Sequence, residues 1–237
     1  MEALIAGAAS LGLCLNEAQL SQFRRYYLDL TEWNSRINLT SIAGCRDVQS
    51  KHFLDSLSLL QAVPEDALDG GALADVGSGA GFPGLPLKIA SPGLRVSLVE
   101  SIGKKAAFLR HVACSLDVND VDVLAERAET LAHRPDRRES FDVVTARAVA
   151  EMDTLAELAL PLCRVGGRVI AQKMRDIGDE LSRAERAIEV LGGRVEDVVP
   201  VELDEIGEPR CLVVLAKTSP TPPAYPRRPG MPAKRPL

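Results

Sequence analysis

The sequence contains no closely spaced pair of cysteines. Its five cysteines are an odd number and lie far apart along the 237 residues, at Cys14, Cys45, Cys114, Cys163 and Cys211. Without C-x-x-C spacing, neither a zinc site nor thiol–disulfide redox chemistry is indicated. We expect buried free thiols in a protein of a reducing compartment.

The sequence also lacks a membrane-targeting segment. The apolar stretch 3–15 follows Glu2, has no basic region before it and is too short to span a bilayer. We therefore expect a cytoplasmic protein with no membrane anchor and no membrane partner.

A strong excess of positive charge is absent as well. Lys and Arg number 28 against 33 Asp and Glu, which gives a formal net charge of −5. This balance argues against a protein that grips nucleic acid with its whole surface and favours a local basic patch. One candidate is the end of the chain, because residues 218–237 contain Arg227, Arg228, Lys234 and Arg235 and no acid.

From residue 72 onward, strand and helix patterns alternate. The predicted strands are 72–76, 95–99, 121–124, 141–146, 168–172, 194–203 and 211–217, and the predicted helices start at Pro83, cover 104–116, lie around Ala128, and cover 152–163 and 180–191. This order predicts an α/β fold with a mostly parallel sheet and helices on both faces. The last two strands lack an intervening helix, so we expect the closing strand to be antiparallel.

Two flanking segments extend this α/β unit. Residues 16–38 and 48–60 have apolar residues at helical spacing, and Asn16 with Gln19 predicts a capping box. We predict an N-terminal helical extension 1–63, an α/β domain 64–217 and a proline-rich basic tail 218–237. The seven prolines of the tail argue against regular secondary structure there, and its composition fits a disordered tail as well as a functional arm.

A glycine-rich turn after the first predicted strand indicates an adenosine-containing cofactor. Glycines allow close backbone approach, the following helix turns its N–H groups toward a ligand, and Glu100 after the next strand suits ribose hydroxyls. Gly79, Gly81 and Gly84 fit the dinucleotide spacing G-x-G-x-x-G, which would indicate a nicotinamide-dependent oxidoreductase.

A second frame starts two residues earlier in the same turn. Gly77, Gly79 and Gly81 follow Asp75, an acid inside the strand, and this pattern resembles the first motif of the class I S-adenosylmethionine-dependent methyltransferases. We prefer this frame because Gly77 comes directly after the strand. An ordinary βα turn, with glycines for close packing alone, is the remaining alternative.

Seven segments along the chain share a pattern with one family. They are Trp33-Asn-x-x-x-Asn38-Leu-Thr40, His52-Phe-Leu-Asp55-Ser-Leu57, Asp75-Val-Gly-Ser-Gly-Ala-Gly-Phe-Pro-Gly84, Glu100-Ser-x-x-Lys104-Lys105-x-x-Phe108-Leu109, Arg127-Ala-Glu129, Phe141-Asp-Val-Val-Thr-Ala-Arg147-Ala148 and Tyr225-Pro-Arg-Arg-Pro-Gly-Met-Pro-Ala-Lys-Arg-Pro-Leu237. Together they resemble the small-subunit ribosomal RNA guanine-N7 methyltransferase G family, also called glucose-inhibited division protein B, over nearly the whole chain. Residues 133–140 depart from the family pattern in being longer and more charged.

The resemblance implies a bacterial class I S-adenosylmethionine-dependent methyltransferase with a Rossmann-like, mostly parallel seven-stranded sheet in three layers. Its reaction would move a methyl group from S-adenosyl-L-methionine to N7 of a guanine in the 530 loop of 16S rRNA, presented in the small ribosomal subunit or an assembly intermediate. The implied cofactor contacts are Gly77, Gly79 and Phe82 in the glycine turn, then Ala128, Glu129 and Arg147. Glu100 is added from the general fold as the ribose acid.

Guanine N7 carries an in-plane lone pair and no proton, so its methylation needs no general base, and the sequence assigns no catalytic residue. The rate must come from alignment and exclusion of water. Because a donor on N7 would occupy the reacting lone pair, we expect recognition through the Watson–Crick edge of an unpaired guanine. His52 and Asp55 lie one helical turn apart and are expected to orient helices rather than to ligate a metal.

A basic stretch and two single residues leave alternatives open. Lys104, Lys105, Arg110 and His111 fit phosphate contacts, together with Arg24, Arg25 and the tail, or a solvated helix face. Trp33 is expected to be a core anchor rather than a platform on which a base stacks. For Arg147, the alternative to cofactor contact is a surface ion pair. A ribosome-assembly factor that binds cofactor and RNA without turnover is the functional alternative outside catalysis.

Overall fold

The computed structural model describes residues 1–147, 149–174 and 176–237; Ala148, which belongs to one of the family-like segments, lies outside the described residues. One sheet of seven strands has the order β3-β2-β1-β4-β5-β7-β6. Its strands are β1 Ala72–Val76, β2 Arg95–Val99, β3 Val121–Leu124, β4 Phe141–Arg147, β5 Cys163–Met174, β6 Gly193–Val201 and β7 Arg210–Lys217. The α-helices are α1 Glu2–Ser10, α2 Glu17–Asn34, α3 Cys45–Val48, α4 Asp55–Leu57, α5 Gly84–Ala90, α6 Gly103–Ser115, α7 Ala128–Leu131, α8 Met152–Ala159, α9 Gly178–Val190 and α10 Met231–Lys234.

The sheet confirms the predicted fold class. Strands β1 to β5 pair in parallel, whereas β7 pairs antiparallel with both β5 and β6. Alternate residues of β1 enter different cores: Leu73 packs in one with Phe23 of α2, and Ala74 packs in the other with Ala156 of α8. The sheet therefore lies between two helical layers, as expected for a parallel strand order joined by helical crossovers.

The prediction of a helix over 152–163 is wrong at its C-terminal end. Helix α8 stops at Ala159, and β5 already starts at Cys163, five residues before the predicted strand. Pro161 explains the difference, because it has no N–H to donate and so cannot continue the helix, although Leu160 before it still has helical geometry. Cys163 instead pairs with Phe141 at the start of β4.

The N-terminal segments pack directly on the α/β unit. The predicted capping box is present, since the Asn16 side chain accepts from Gln19 N at 2.9 Å and the Gln19 side chain accepts from Asn16 N at 2.9 Å. Leu4 of α1, which had not been predicted as a helix, lies in the same apolar core as Tyr26 and Leu73. After α3 the chain continues as a π-helix over Gln49–Leu54 and then as α4.

The tail contradicts the expectation that prolines exclude regular structure from it. Met231–Lys234 forms helix α10, which begins after Gly230 in the left-handed region at φ 81°. Pro232 is tolerated because it occupies the first turn, where no intrahelical N–H bond is required. Tyr225 and Leu237 pack against the second core, so the tail is a docked segment rather than a free one.

The prediction of buried thiols is wrong for three of the five cysteines. Cys163 and Cys211 are buried on β5 and β7, whereas Cys14, Cys45 and Cys114 are exposed, and all five are free. Cys14 precedes α2, Cys45 begins α3, and Cys114 occupies the last turn of α6. None of these three positions faces an apolar layer, which is why the thiols remain accessible.

Candidate active site

The glycine turn between β1 and α5 is held by a backbone carbonyl of β2 and by a side chain of β1. Gly77 N and Ser78 N donate to Val99 O of β2 at 2.9 and 3.1 Å. At the other end of the turn, Gly84 N donates to the Asp75 carboxylate at 3.0 Å. The acid inside β1 therefore fixes the start of α5, which explains its place in the motif.

Two glycines of this turn are required by their geometry. Gly77 has φ 71°, and a Cβ atom there would lie 2.8 Å from a methyl group of Val149. Gly81 has φ 95°, and its Cβ would lie 2.4 Å from the hydroxyl of Tyr26, which itself donates to Ala80 O. Side chains at either position would fill the space beside the turn and strain the backbone.

The Glu100 carboxylate lies where the sequence placed it, directly after β2. One oxygen accepts from Gly79 N at 3.0 Å and the other from Ile102 N at 2.7 Å, and the residue is only 5% exposed. A carboxylate has about four lone-pair sites, so Glu100 keeps acceptor capacity for ligand hydroxyls while it holds the turn.

A first cleft opens at the carboxyl ends of β1, β2 and β3. Of the seven predicted cofactor residues, four line this cleft: Gly77, Glu100, Ala128 and Glu129. Gly79 is joined to it through its hydrogen bond to Glu100. Strand order changes direction between β1 and β4, and open α/β sheets bind their ligands at such a point.

The other two predicted residues, Phe82 and Arg147, lie together beside a second cleft. The Arg147 guanidinium carbon is 5.1 Å from the centroid of the Phe82 ring. Arg147 Nη1 also donates to the Asp55 carboxylate at 3.0 Å and to Lys51 O at 3.1 Å. Arg147 is thus ion-paired, as one alternative had it, but the pair is buried rather than at the surface.

This second cleft lies over the ends of β4, β5 and β7 and has a volume of about 560 Å³. Its lining carries four basic side chains, Lys51, Arg147, Lys173 and Arg210, and two acidic ones, Asp55 and Glu208. Sequence reasoning did not single out Gln172 or Arg210, which come from β5 and β7 and lie far from the N-terminal motifs along the chain. The end of β4 contributes to both clefts, since Arg147 lines the second and Val149, two positions later, lines the first.

His52 joins the N-terminal segments to this cleft. Its ring stacks on Phe82 with 4.5 Å between centroids, Nε2 lies 2.7 Å from Thr40 Oγ1, and Nδ1 lies 3.2 Å from Arg147 Nη2. Burial, and secondarily the charge of Arg147, lower the pKa of His52 to about 4. Nδ1 also lies 3.1 Å from Lys51 O. With the proton on Nε2 the neutral ring donates to Thr40 and accepts from Arg147 at Nδ1, and with the proton on Nδ1 it donates to Lys51 O and accepts from Thr40 at Nε2.

The family-like segment 33–40 contributes one contact that supports His52 and one that belongs to the core. Asn34 accepts from Leu39 N and Thr40 N through its side-chain oxygen, at 2.9 and 3.0 Å, and so holds the residue that contacts His52. Trp33 contacts the rings of Phe108 and His111, which agrees with the predicted core anchor.

The basic residues of α6 divide into two groups. Lys104 is exposed and Lys105 is half-buried at the start of the helix. His111 instead lies 3.6 Å from the buried Asp29 carboxylate, to which Arg25 also donates. Lys104 and Lys105 therefore remain candidates for phosphate contact, whereas His111 and Arg25 are tied to a contact between α2 and α6.

A metal site is not found in the part of the chain that the structure describes: no group of three or more His, Cys, Asp and Glu side chains there is arranged to hold an ion. His52 and Asp55 both contact Arg147. Nor does any helix within the described ranges combine the length and apolarity needed to cross a membrane.

The parallel sheet closed by antiparallel β7, with the glycine turn after β1 and an acid after β2, defines the class I methyltransferase fold. A solved structure of a mutant of MtNAS in complex with S-adenosylmethionine is similar, with a TM-score of 0.55 and 20% identity over 89% of this chain and 75% of that one. TrmN from Thermus thermophilus gives a TM-score of 0.51 and 22% identity over 71% and 53%. These likenesses support the fold.

The family is shown at the level of sequence. A family model described as rRNA small subunit methyltransferase G matches residues 19–206. Ribosomal RNA small subunit methyltransferase G of Roseiflexus sp. (strain RS-1) is 56% identical, and that of Dehalococcoides mccartyi (strain CBDB1) is 51% identical, each over 100% of both chains. The chain belongs to the rRNA small subunit methyltransferase G family, as the sequence motifs had indicated.

Proposed function

We propose that this protein transfers a methyl group from S-adenosyl-L-methionine to N7 of a guanine in the 530 loop of 16S rRNA. The observation that carries the proposal is a pair of clefts to which the end of β4 contributes, Val149 to one and Arg147 to the other. One cleft offers a glycine turn and a ribose acid, and the other offers basic side chains around an arginine and a stacked ring pair. Family membership supports the same reaction class.

The first cleft fits the cofactor. Gly77 lets the turn pack closely against Val149 of the cleft, because a Cβ there would lie 2.8 Å from a Val149 methyl group. Glu100 retains acceptor capacity for ribose hydroxyls, and Ala128 with Glu129 lies next along the sheet edge for the adenine. Phe82 and Arg147 lie outside the lining of the first cleft and beside the second. Bound there, the cofactor supplies an electrophilic methyl group on sulfur.

The protein has no proton to remove from the acceptor, because guanine N7 carries a free lone pair. Its residues must align the base with the methyl group and keep water away. His52, the titratable ring in contact with Arg147, is held neutral by its lowered pKa, and its two nitrogens already have Thr40, Lys51 and Arg147 as partners. We therefore assign His52 and Asp55 to positioning Arg147.

The second cleft is suited to a nucleotide of the RNA. Lys51, Arg147, Lys173 and Arg210 offer donors to a phosphate, and each is already paired with a carboxylate: Asp47 at 3.3 Å, Asp55 at 3.0 Å, Glu180 at 2.6 Å and Glu208 at 2.9 Å, in that order. A phosphate of the RNA would therefore compete with these acids for the same donors. A guanine must be unpaired or turned out of its helix to enter a cleft of this kind. The substrate we propose is the small subunit or an assembly intermediate, in the cytoplasm where ribosomes are made.

The test is methyl transfer from methyl-labelled S-adenosyl-L-methionine to small subunits purified from cells that lack this modification. We expect one methyl group per subunit, no transfer to already modified subunits, and little transfer to large subunits. Cofactor binding without transfer in a single turnover would instead support an assembly factor. Absence of cofactor binding would reject both proposals.

A second experiment tests how the base is recognised. The same guanine is placed in a perfect RNA duplex and in an unpaired loop of identical sequence. We expect transfer to the loop alone, because the reacting base has to leave the stack. Equal rates on both substrates would contradict recognition of an extruded guanine.

A further inference from the structure

The C-terminal tail forms one wall of the first cleft. Gly230, Pro232 and Ala233 line it, together with Gly77 of the glycine turn and with Glu129. Gly230 N donates to the Glu129 carboxylate at 2.9 Å. A residue predicted to contact the cofactor is therefore held by the tail, and the cleft is incomplete without the last eight residues of the chain.

A buried ion pair fixes the tail just before this wall. Arg227 donates to both oxygens of Glu157 on α8, with Nη2–Oε2 at 2.6 Å and Nε–Oε1 at 2.9 Å, and its backbone N–H donates to the same carboxylate at 2.7 Å. The Glu157 side chain is 1% exposed. A carboxylate removed from water so completely needs all of these donors, so the pair strongly favours the docked tail.

Further contacts hold the tail on either side of the pair. Upstream, Arg138 donates to Thr221 O at 2.7 Å and to Tyr225 O at 2.9 Å. Downstream, Thr154 Oγ1 donates to Pro232 O at 3.2 Å. Arg138 belongs to the charged segment 133–140 that departs from the family pattern, and the structure gives this segment a role in tail docking.

We propose that the tail is part of the cofactor site, with Gly230, Pro232 and Ala233 as the wall beside the adenine and with Arg227 and Glu157 as the residues that position this wall. The inference rests on the proposed use of the first cleft by S-adenosyl-L-methionine. Because binding and docking favour the same arrangement, cofactor must also stabilise the docked tail by the same factor.

The experiment measures cofactor affinity by calorimetry for the full chain and for Arg227→Ala. The matched control is Arg228→Ala, which removes the same charge from an exposed neighbour. We expect R227A to weaken S-adenosyl-L-methionine binding by at least about tenfold, and R228A to stay within about twofold of the unmodified chain. Adenosine should lose affinity by the same factor as the cofactor, because the wall faces the adenine.

Trypsin cleavage after Arg227 reports tail docking independently of affinity. In the unmodified chain, saturating cofactor should slow cleavage after Arg227 and after Lys234. In R228A, cofactor should slow cleavage after Lys234 to the same extent. For R227A, cleavage at Lys234 should become fast and respond to cofactor only weakly. A released tail with unchanged cofactor affinity would overturn the inference.

A second variant covers the case in which R227A fails to fold. Arg138→Lys keeps the charge but loses the paired donation to Thr221 O and Tyr225 O, and it lies outside the lining of the cleft. The same loss of affinity is expected, and an undocked tail with unaltered affinity would again contradict the inference. If the unmodified chain itself binds no cofactor, the proposed function fails instead.

Discussion

The Arg147 guanidinium donates to the Asp55 carboxylate at 3.0 Å, in a pair whose side chains are 16% and 4% exposed. This contact joins the end of β4 to α4 and therefore links the α/β unit to the N-terminal segments. Gln172 of β5 also donates to the Asp55 carboxylate, at 2.9 Å. The second cleft consequently depends on residues from three distant parts of the chain.

Removal of Arg147 should destabilise the protein more than loss of a surface charge pair. We expect Arg147→Ala to lower the free energy of unfolding by about 3 kcal/mol, because it leaves the Asp55 charge buried with fewer donors. In the double variant with Asp55→Asn, the free energy of unfolding should fall by less than the sum of its decreases in the two single variants. Denaturant unfolding at pH 7 measures all four proteins.

The control for this cycle is Arg183→Ala. Arg183 pairs with Glu151 at 3.3 Å, and both side chains are about two-thirds exposed. Such pairs contribute under about 1 kcal/mol. Additive effects of the Arg147 and Asp55 changes would show that the two residues do not act as a pair.

Stability should depend on pH through Asp75. Burial raises the pKa of this carboxyl from 3.8 to about 7, against the lowering effect of the Gly84 N–H. The folded state then holds a proton that the unfolded state releases, so the contribution of Asp75 to stability is full below pH 3.8 and is lost as pH rises to about 7. The loss is on the order of 4 kcal/mol.

The measurement compares the free energy of unfolding of the unmodified chain and Asp75→Asn from pH 4 to pH 8. The free energy of unfolding of D75N, relative to that of the unmodified chain, should increase as the pH rises across this window. His52 acts in the opposite direction, because its lowered pKa makes stability fall as pH drops from 6.5 toward 4. Only the difference from D75N isolates Asp75, and a flat difference would contradict its raised pKa.

Cofactor affinity should depend on Glu100. Glu100→Ala removes an acceptor for the ribose hydroxyls and leaves Gly79 N and Ile102 N without their carboxylate. We expect binding of S-adenosyl-L-methionine to weaken about tenfold to a hundredfold, as for loss of charge-assisted hydrogen bonds. Calorimetry with Glu65→Ala as an exposed control checks this, and unchanged affinity in E100A would remove the ribose role.

RNA binding should depend on the start of α6. The double change of Lys104 and Lys105 to Ala should lower the slope of log affinity against log salt by about 1.5, because each lost phosphate contact contributes about 0.7 for single strands. Cofactor affinity should stay the same. A double change of exposed Arg186 and Arg194 to Ala removes equal charge elsewhere and should leave the slope unaltered. Parallel salt dependences for all three proteins would identify Lys104 and Lys105 as a solvated face.

Local patterns were sufficient to predict the sheet and the glycine turn. Period-two and apolar runs gave β1, β2 and β3 at their observed bounds, because these strands are short and end at turn residues. The position of Gly77 directly after β1 distinguished the methyltransferase frame from the dinucleotide frame. The family-like motifs then indicated particular residues of the turn and of the later loops as candidates for cofactor contact.

Long-range contacts could not be predicted in this way. Glu157 and Arg227 are 70 residues apart, and nothing in the composition of the proline-rich tail shows that a buried carboxylate will dock it. Gln172 lies in an apolar strand pattern, yet it donates to Asp55 from 117 positions away. Such partners become visible only when strand order and helix packing bring them to the same edge of the sheet.

The central claim is transfer of one methyl group to one guanine, and the position of the product tests it most directly. Small subunits that lack the modification are incubated with the protein and S-adenosyl-L-methionine, and the 16S rRNA is cleaved chemically at 7-methylguanosine. We predict a single new cleavage in the 530 loop, absent without cofactor and reduced with E100A. Cleavage at another guanine, or none while cofactor binds tightly, would contradict the account.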